Sequence, residues 1–302
     1  MSEKQGVGSS ILPLATRTML KKIIKKIQNK EFFKYLFWKF GLKKSLNIFL
    51  NYLNKIFLSK AEYLGIDKYE FSSNKNITEY IEEHYSMNYQ LFKLFVNNKE
   101  NVIHKWIHYI PIYESYISKF KDTKVSFLEI GVSKGGSMKM FREFLGNDAL
   151  IFGVDIDERC KELNGVYGEV RIGSQDDAVF LDSVLDEMGS LDIVLDDGSH
   201  KMKDVKSSFL HLFKYLNEGG IYIIEDLHTS YWKKFGGGYN NKQNFFNFLY
   251  DIVNDMHHWY HDKGQKFPDV SNYIPAIHIY DSLVVIEKKM VLPPAQIRIP
   301  KN

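Results

Sequence analysis

The sequence predicts an α/β fold on a mostly parallel sheet, and three features carry that prediction. Short apolar runs alternate with helical patterns from residue 124 onward, each run stops near a polar residue, and the last two runs flank the tight "YDS" at 280–282. The first two features are the signature of a parallel sheet wrapped by helices; the third reads as a hairpin that adds an antiparallel C-terminal strand. The parallel strands are expected at 125–130, 150–154, 169–172, 191–195 and 220–224, and the closing pair at 276–280 and 283–287. A long aromatic helix is expected from 245 to about 259.

The chain of 302 residues has room for one large α/β domain plus an appendage. With 44% hydrophobic, 25% charged and 15% aromatic residues it can bury a real core, which excludes disorder for most of its length. The single cysteine, Cys160, rules out an internal disulfide framework and fits a reducing cytoplasm; with no nucleophile motif around it, it reads as inert. No uninterrupted apolar stretch approaches the ~18 residues of a membrane span, and the N-terminus lacks a signal-peptide layout, so a cytoplasmic protein is expected.

Charge is unevenly distributed. Residues 17–60 hold 12 Lys/Arg against the one acid Glu31, a net +11, which leaves 3 − 11 = −8 for the rest of the chain. Residues 1–16 show no periodicity and are expected to fray. Residues 17–75 read as a basic amphipathic helical arm, with Leu20, Ile23, Ile24 and Ile27 opposite Lys21, Lys22, Lys25 and Lys26. Such an arm either docks its apolar face on its own domain or on another subunit, or makes a peripheral contact with an anionic membrane at the inner face of the cell. No nucleic-acid module accompanies the lysines, so nucleic acid is not expected as a partner. Residues 76–120 form a helical lead-in, broken at Pro111, in which Trp106, Tyr109 and Tyr113 take a core-packing role by default, with a wall around a ligand as the minority reading. Residues 121–290 are the main domain and 291–302 a tail.

The stretch "FLEIGVSKGGS" at 127–137 is a strand, a glycine-rich bend and a helix start. Glycines permit positive φ and close backbone approach, and the free N–H groups of a helix start attract an anion, so a nucleotide-like cofactor is expected there. The dinucleotide fingerprint G-x-G-x-x-G is not met: Gly131 is followed by Val132 and Ser133, and the next glycines are Gly135 and Gly136. That makes NAD the weaker candidate. Glu129 inside the first strand and Asp155 ending the second suit S-adenosylmethionine instead. Asp155 can take both ribose hydroxyls, and the Glu129 region faces the charged amino-acid end. Gly131 and Ser137 of the bend belong to the same cofactor set, as do Gln175 and Asp176 of "GSQDD" near the adenine and Asp196 at the fourth strand's end.

A second centre is "LDDGSH" at 195–200. Asp197 ends the fourth strand, and Glu225 and Asp226 end the fifth, 225 − 197 = 28 residues later. In a doubly wound sheet these ends share the rim that holds the ligand crevice, so three carboxylates converge there. Like charges in one place raise one another's pKa unless a cation joins them. All-oxygen ligation favours Mg²⁺, with Mn²⁺ able to substitute, and such an ion would acidify and orient a substrate hydroxyl. His200 is then placed to take the proton as general base. The bland alternative is that Asp196 and Asp197 cap the next helix and that His200 is a surface residue.

At these residues the sequence resembles the metal-dependent sugar O-methyltransferases of macrolide biosynthesis. The similarity runs from about 105 to about 288, through "KWIHYIPIYE", "LEIGVSKGGS", "GVDID", "DIVLDDGSH" and "GGIYIIEDLHTSYW". The resemblance implies a Rossmann-like class I methyltransferase fold, Mg²⁺ on Asp197, Glu225 and Asp226, a general base at His200, and a homo-oligomer. The lysine-rich arm lies outside it. Acceptor contacts are expected from His228, Tyr231 and Trp232, the last two able to stack on a sugar face, with Gly236 to Gly238 as a mobile lid. His257 and His261 stand at a zinc-like spacing without a third ligand.

The function expected is S-adenosylmethionine- and Mg²⁺-dependent O-methylation of a sugar hydroxyl in a glycan or glycosylated metabolite. The rival readings are a catechol-type O-methyltransferase, an NAD-dependent sugar oxidoreductase, and a non-catalytic cofactor-binding scaffold.

Overall fold

The computed structural model describes residues 69–72 and 75–300, all within the unit Ile66–Asn302. The N-terminal segment 1–16 and nearly all of the basic arm lie outside the described residues. A seven-stranded sheet organises the rest, with β1 (Ser126–Ile130), β2 (Leu150–Asp155), β3 (Glu169–Ile172), β4 (Ile193–Asp196), β5 (Ile221–Ile224), β6 (Ile277–Tyr280) and β7 (Leu283–Glu287) in the order β3-β2-β1-β4-β5-β7-β6. The first five strands pair in parallel, and β7 runs antiparallel to both β5 and β6. The predicted sheet, including the reversed strand near the C-terminus, is therefore the observed one. After β3 the chain crosses back over β1 to place β4, and that switch opens a crevice at the carboxyl ends of β1 and β4.

Alternation along the strands explains why they read as continuous apolar runs. Leu128, Ile130, Val194, Tyr222 and Ile224 face one core, which also holds residues of α5 (Ala178–Met188), α6 (Met202–Leu212) and α7 (Phe245–Met256). Phe127, Ile193, Leu195, Ile221 and Ile223 face the other, against α1 (Ile77–His84), α2 (Gln90–Asn97), α3 (Tyr109–Ile117) and α4 (Gly136–Leu145). Both faces are covered, so both parities are apolar. The same parity decides where each acid at a strand end points.

Two local expectations are corrected. Pro111 does not break the lead-in: it lies in the first turn of α3, where an N–H has no helical partner to lose, and the breaks fall between His84 and Gln90 and between Asn97 and Tyr109. The histidines near 260 take no zinc-like geometry. The rings of His257, His258 and His261 instead donate to the carbonyls of Val253, Asp255 and Asn254 at 2.7, 2.9 and 2.9 Å, satisfying the free end of α7.

Candidate active site at the carboxyl rim of the sheet

β1 delivers Glu129 to the α1–α4 side of the sheet, fully buried, with neither carboxylate oxygen hydrogen-bonded. Burial pushes its pKa up to about 7, while the Lys105 ammonium pulls the other way. Ser137 Oγ and the Tyr113 hydroxyl, also buried, are likewise unpartnered. Such orphaned polar atoms are rare in a folded interior, and a cationic donor would satisfy the Glu129 carboxylate. The α-ammonium of a bound S-adenosylmethionine has that chemistry, so the residues present fit the group. On β2, Asp155 accepts the Ser133 N–H through Oδ2 (2.9 Å) and the Asp157 N–H through Oδ1 (2.8 Å), each oxygen keeping a lone pair for a hydroxyl. Gly131 has φ +93°, and a Cβ there would lie 2.1 Å from the Asp197 carbonyl oxygen. The glycine is thus required by the chain's own β4 exit as well as by any ligand.

Parity splits the two aspartates that end β4. Asp196 turns to the α5–α7 side and is 1% exposed; it accepts from Gln175 Nε2 (3.1 Å), Ser208 Oγ (2.7 Å) and the Tyr222 hydroxyl (3.2 Å). Gln175 Oε1 in turn accepts the Ser199 N–H at 2.6 Å. Asp196 and Gln175, both expected as cofactor contacts, therefore spend their polar atoms on the interior and on pinning the loop that carries His200. Asp176 stays at the surface, bonded by Ser174 Oγ (2.6 Å) and Lys203 Nζ (3.1 Å), which lower its pKa. Neither Asp196 nor Asp197 caps α6: the cap position is Lys201, without a side-chain bond.

Asp197, His200 and Asp226 come together. Each offers one ligand atom, and the three atoms lie within 4.8 Å of one another. His200 Nε2 stands 3.8 Å from both Asp197 Oδ1 and Asp226 Oδ2. His200 and Asp226 both have φ +55°, a left-handed backbone that non-glycine residues adopt at a cost. Bonds surround both: Thr229 Oγ1 lies 2.7 Å from the Asp226 carbonyl and 3.3 Å from the His200 carbonyl, either of which takes its one proton, and the Tyr109 hydroxyl accepts the Asp226 N–H. Two carboxylates whose oxygens converge are an all-oxygen donor set suited to Mg²⁺ or Mn²⁺, with the His200 imidazole beside them, so the residues present fit a divalent cation.

Three residues of the lead-in complete the site: Lys105, which sequence reasoning did not single out, and Trp106 and Tyr109, which it assigned first to core packing. Lys105 Nζ lies 2.6 Å from Asp197 Oδ2 and 2.7 Å from Glu225 Oε1, with both the lysine and the glutamate side chains 2% exposed. Burial disfavours the ammonium, but Asp197, Glu225 and Glu129 outweigh it and hold Lys105 above the usual lysine pKa. Burial and Asp197 push Glu225 well above the usual carboxylate range, against the pull of Lys105. Trp106 Nε1 donates to Asp226 Oδ1 at 3.1 Å, and the Tyr109 hydroxyl lies 3.1 Å from the same oxygen and 3.0 Å from the Ser282 carbonyl, either of which takes its one proton. The expected reason for a cation, that three acids have no other counter-charge, is thereby revised. The chain supplies one positive charge itself, and Lys105 bonds two of the three carboxylates.

The expected acceptor residues border this cluster. His228 lies between Trp106 and Trp232 at centroid distances of 5.6 and 5.0 Å, with Nδ1 2.7 Å from Ser282 Oγ, and burial lowers its pKa. Tyr231 is exposed and stacks on Phe246, while Phe235 sets its ring edge-on to His200 at 6.4 Å. Of the glycines expected to form a lid, Gly237 is tightly packed, since a Cβ there would meet the Ser230 carbonyl at 2.1 Å, and the Gly238 N–H donates to that carbonyl at 2.8 Å, while a Cβ on Gly236 would meet nothing nearer than 3.9 Å. Among the described residues no helix is long and apolar enough to cross a membrane.

Residues 128–227 match the family described as "Methyltransferase domain". The chain is 34% identical over 197 residues to the 8-demethyl-8-alpha-L-rhamnosyl tetracenomycin-C 2'-O-methyltransferase of Streptomyces olivaceus, a match covering 61% of this chain and 52% of the relative. It is 32% identical over 202 residues to the mycinamicin VI 2''-O-methyltransferase of Micromonospora griseorubida, covering 60% and 48%. The chain thus spans about half the length of the curated relatives it matches. Among solved structures it is similar to the MycE methyltransferase of the mycinamycin biosynthetic pathway in complex with Mg, SAH and mycinamycin VI. That match has a TM-score of 0.58 and 27% identity, over 78% of this chain and 63% of that one. The relatives are sugar O-methyltransferases of macrolide and polyketide biosynthesis, and the fold is the class I methyltransferase fold, as the sequence motifs implied.

Proposed function

We propose that this chain, which carries a methyltransferase domain related to the macrolide and polyketide sugar O-methyltransferases, transfers a methyl group from S-adenosylmethionine to a sugar hydroxyl of a glycosylated metabolite or glycan, with Mg²⁺ or Mn²⁺ as its metal. The observation that carries this reading is the cluster of Asp197, His200 and Asp226 on the same rim as the orphaned, buried Glu129. The named complexes of MycE with Mg and SAH support the same pair of cofactors.

Glu129 receives the cofactor's amino-acid end, with Ser137 and the Gly131 bend beside it. Asp155 accepts from the ribose, and Asp176 borders the adenine. Asp197 and Asp226 would hold the dication, with Glu225 as the third carboxylate; Lys105 bonds Asp197 Oδ2 and Glu225 Oε1, and Trp106 and Tyr109 lie on Asp226 Oδ1. Bound there, the dication supplies the positive charge that eases deprotonation of a substrate hydroxyl, and S-adenosylmethionine supplies the electrophilic methyl. His200 Nε2 takes the hydroxyl proton as the oxygen–carbon bond forms and the sulfur–carbon bond breaks. Its position between Asp197 and Asp226 stabilises the imidazolium that results. His228, Tyr231 and Trp232 present apolar ring faces and one hydrogen-bonding nitrogen to the acceptor.

The homo-oligomer, the cytoplasmic location and the peripheral membrane contact of residues 17–60 are proposed from the sequence alone. Mass analysis of products, offering rhamnosylated aglycones and a catechol with labelled S-adenosylmethionine, tests the function. Methylation of the sugar supports it, methylation of the catechol alone selects the catechol reading, and binding of SAH without any transfer selects the scaffold.

A further inference from the structure

We propose that Lys105 is an internal counter-ion that competes with the dication for the carboxylates of this site, so that the chain itself weakens metal binding and makes it reversible. The inference rests on the metal-dependent reading above.

The ammonium bridges Asp197 Oδ2 and Glu225 Oε1 from the inner side, in an environment closed to water. Held by the ammonium, Glu225 is outside the group whose ligand atoms converge, which comprises Asp197, His200 and Asp226. The lysine's neighbour in sequence, Trp106, is anchored on Asp226, which fixes the backbone that delivers the ammonium. A buried carboxylate without any cation is strongly destabilising, so in metal-free protein Lys105 is the charge that Glu225 requires. A dication entering the same cluster meets that fixed positive charge a few ångströms away in a poorly screened interior, and the two repel. The two effects have opposite signs. Removing the ammonium should harm the metal-free protein and favour the metal-bound one.

The test uses the full chain as wild type, Lys105→Met and Lys105→Gln. Mn²⁺ binding is followed by the electron spin resonance of the free ion, and thermal unfolding is recorded in EDTA and in saturating Mg²⁺. Competition predicts Mn²⁺ affinity at least about tenfold tighter in the variants, about 1.4 kcal/mol. It also predicts a lower unfolding temperature in EDTA that saturating Mg²⁺ restores. A merely structural lysine would lower the unfolding temperature without tightening the metal. Should the Met variant not fold, the Gln variant carries the same measurement, because it keeps a donor of similar size and drops the charge. If wild type binds Mn²⁺ and the variants bind it equally or more weakly, the competition is overturned and the metal-dependent reading stands. If wild type and variants all fail to bind Mn²⁺, both fall together.

Discussion

Replacing Glu129 with Gln should stabilise the cofactor-free protein and cripple cofactor binding. The carboxylate is buried without a partner, and its pKa is about 7 against a usual 4.5. An acid raised in the folded state lowers stability as pH climbs. Below pH 4.5 both folded and unfolded forms carry the proton; between 4.5 and 7 the unfolded chain releases it first, and above about 8 the whole penalty is present. Across that interval the penalty amounts to roughly 3 kcal/mol, already net of the attraction to Lys105. A neutral amide avoids it. Differential scanning at pH 8, without metal or cofactor, should therefore show Glu129→Gln unfolding about 5–10 °C above wild type. At pH 5 the difference should shrink to about a quarter. Isothermal titration with SAH should show the opposite effect, at least about tenfold weaker binding, because a charge-assisted bond to the ammonium is gone. Equal unfolding temperatures at pH 8 together with unchanged SAH affinity would refute the assignment of Glu129.

Other perturbations separate roles within the cluster. His200→Ala should lower kcat roughly 100-fold or more while SAH and Mn²⁺ affinities stay within about threefold of wild type. A loss of Mn²⁺ affinity of the same size would make the imidazole a metal ligand instead of the base. Trp106→Phe removes the donor to Asp226 Oδ1 and should weaken Mn²⁺ about tenfold in a binding titration, with the fold intact by circular dichroism. Unchanged affinity there would remove Trp106 from the site.

Most of the sheet was legible because buried parallel strands are short apolar runs and their polar ends mark the rim. The convergence of Asp197 and Asp226 followed from strand order alone. Parity would also have separated Asp196 from Glu129 and Glu225: Asp196 shares its face with Val194, Glu129 with Phe127 and Glu225 with Ile223. Lys105, Trp106 and Tyr109 were not legible as site residues. They reach the carboxylates across 92 to 120 residues of sequence, and aromatics beside an apolar helix read first as core. The packed glycines at 237 and 238 misled for a related reason, since a sequence does not show whether glycine serves motion or close approach.

Methyl transfer from isotope-labelled S-adenosylmethionine to a rhamnosylated acceptor, run in EDTA and after Mg²⁺ is restored, tests the central claim most directly. Transfer to the sugar that disappears in EDTA and returns with Mg²⁺ is the expected result. Full transfer in EDTA, or none under either condition with acceptor and SAH both bound, would contradict the claim.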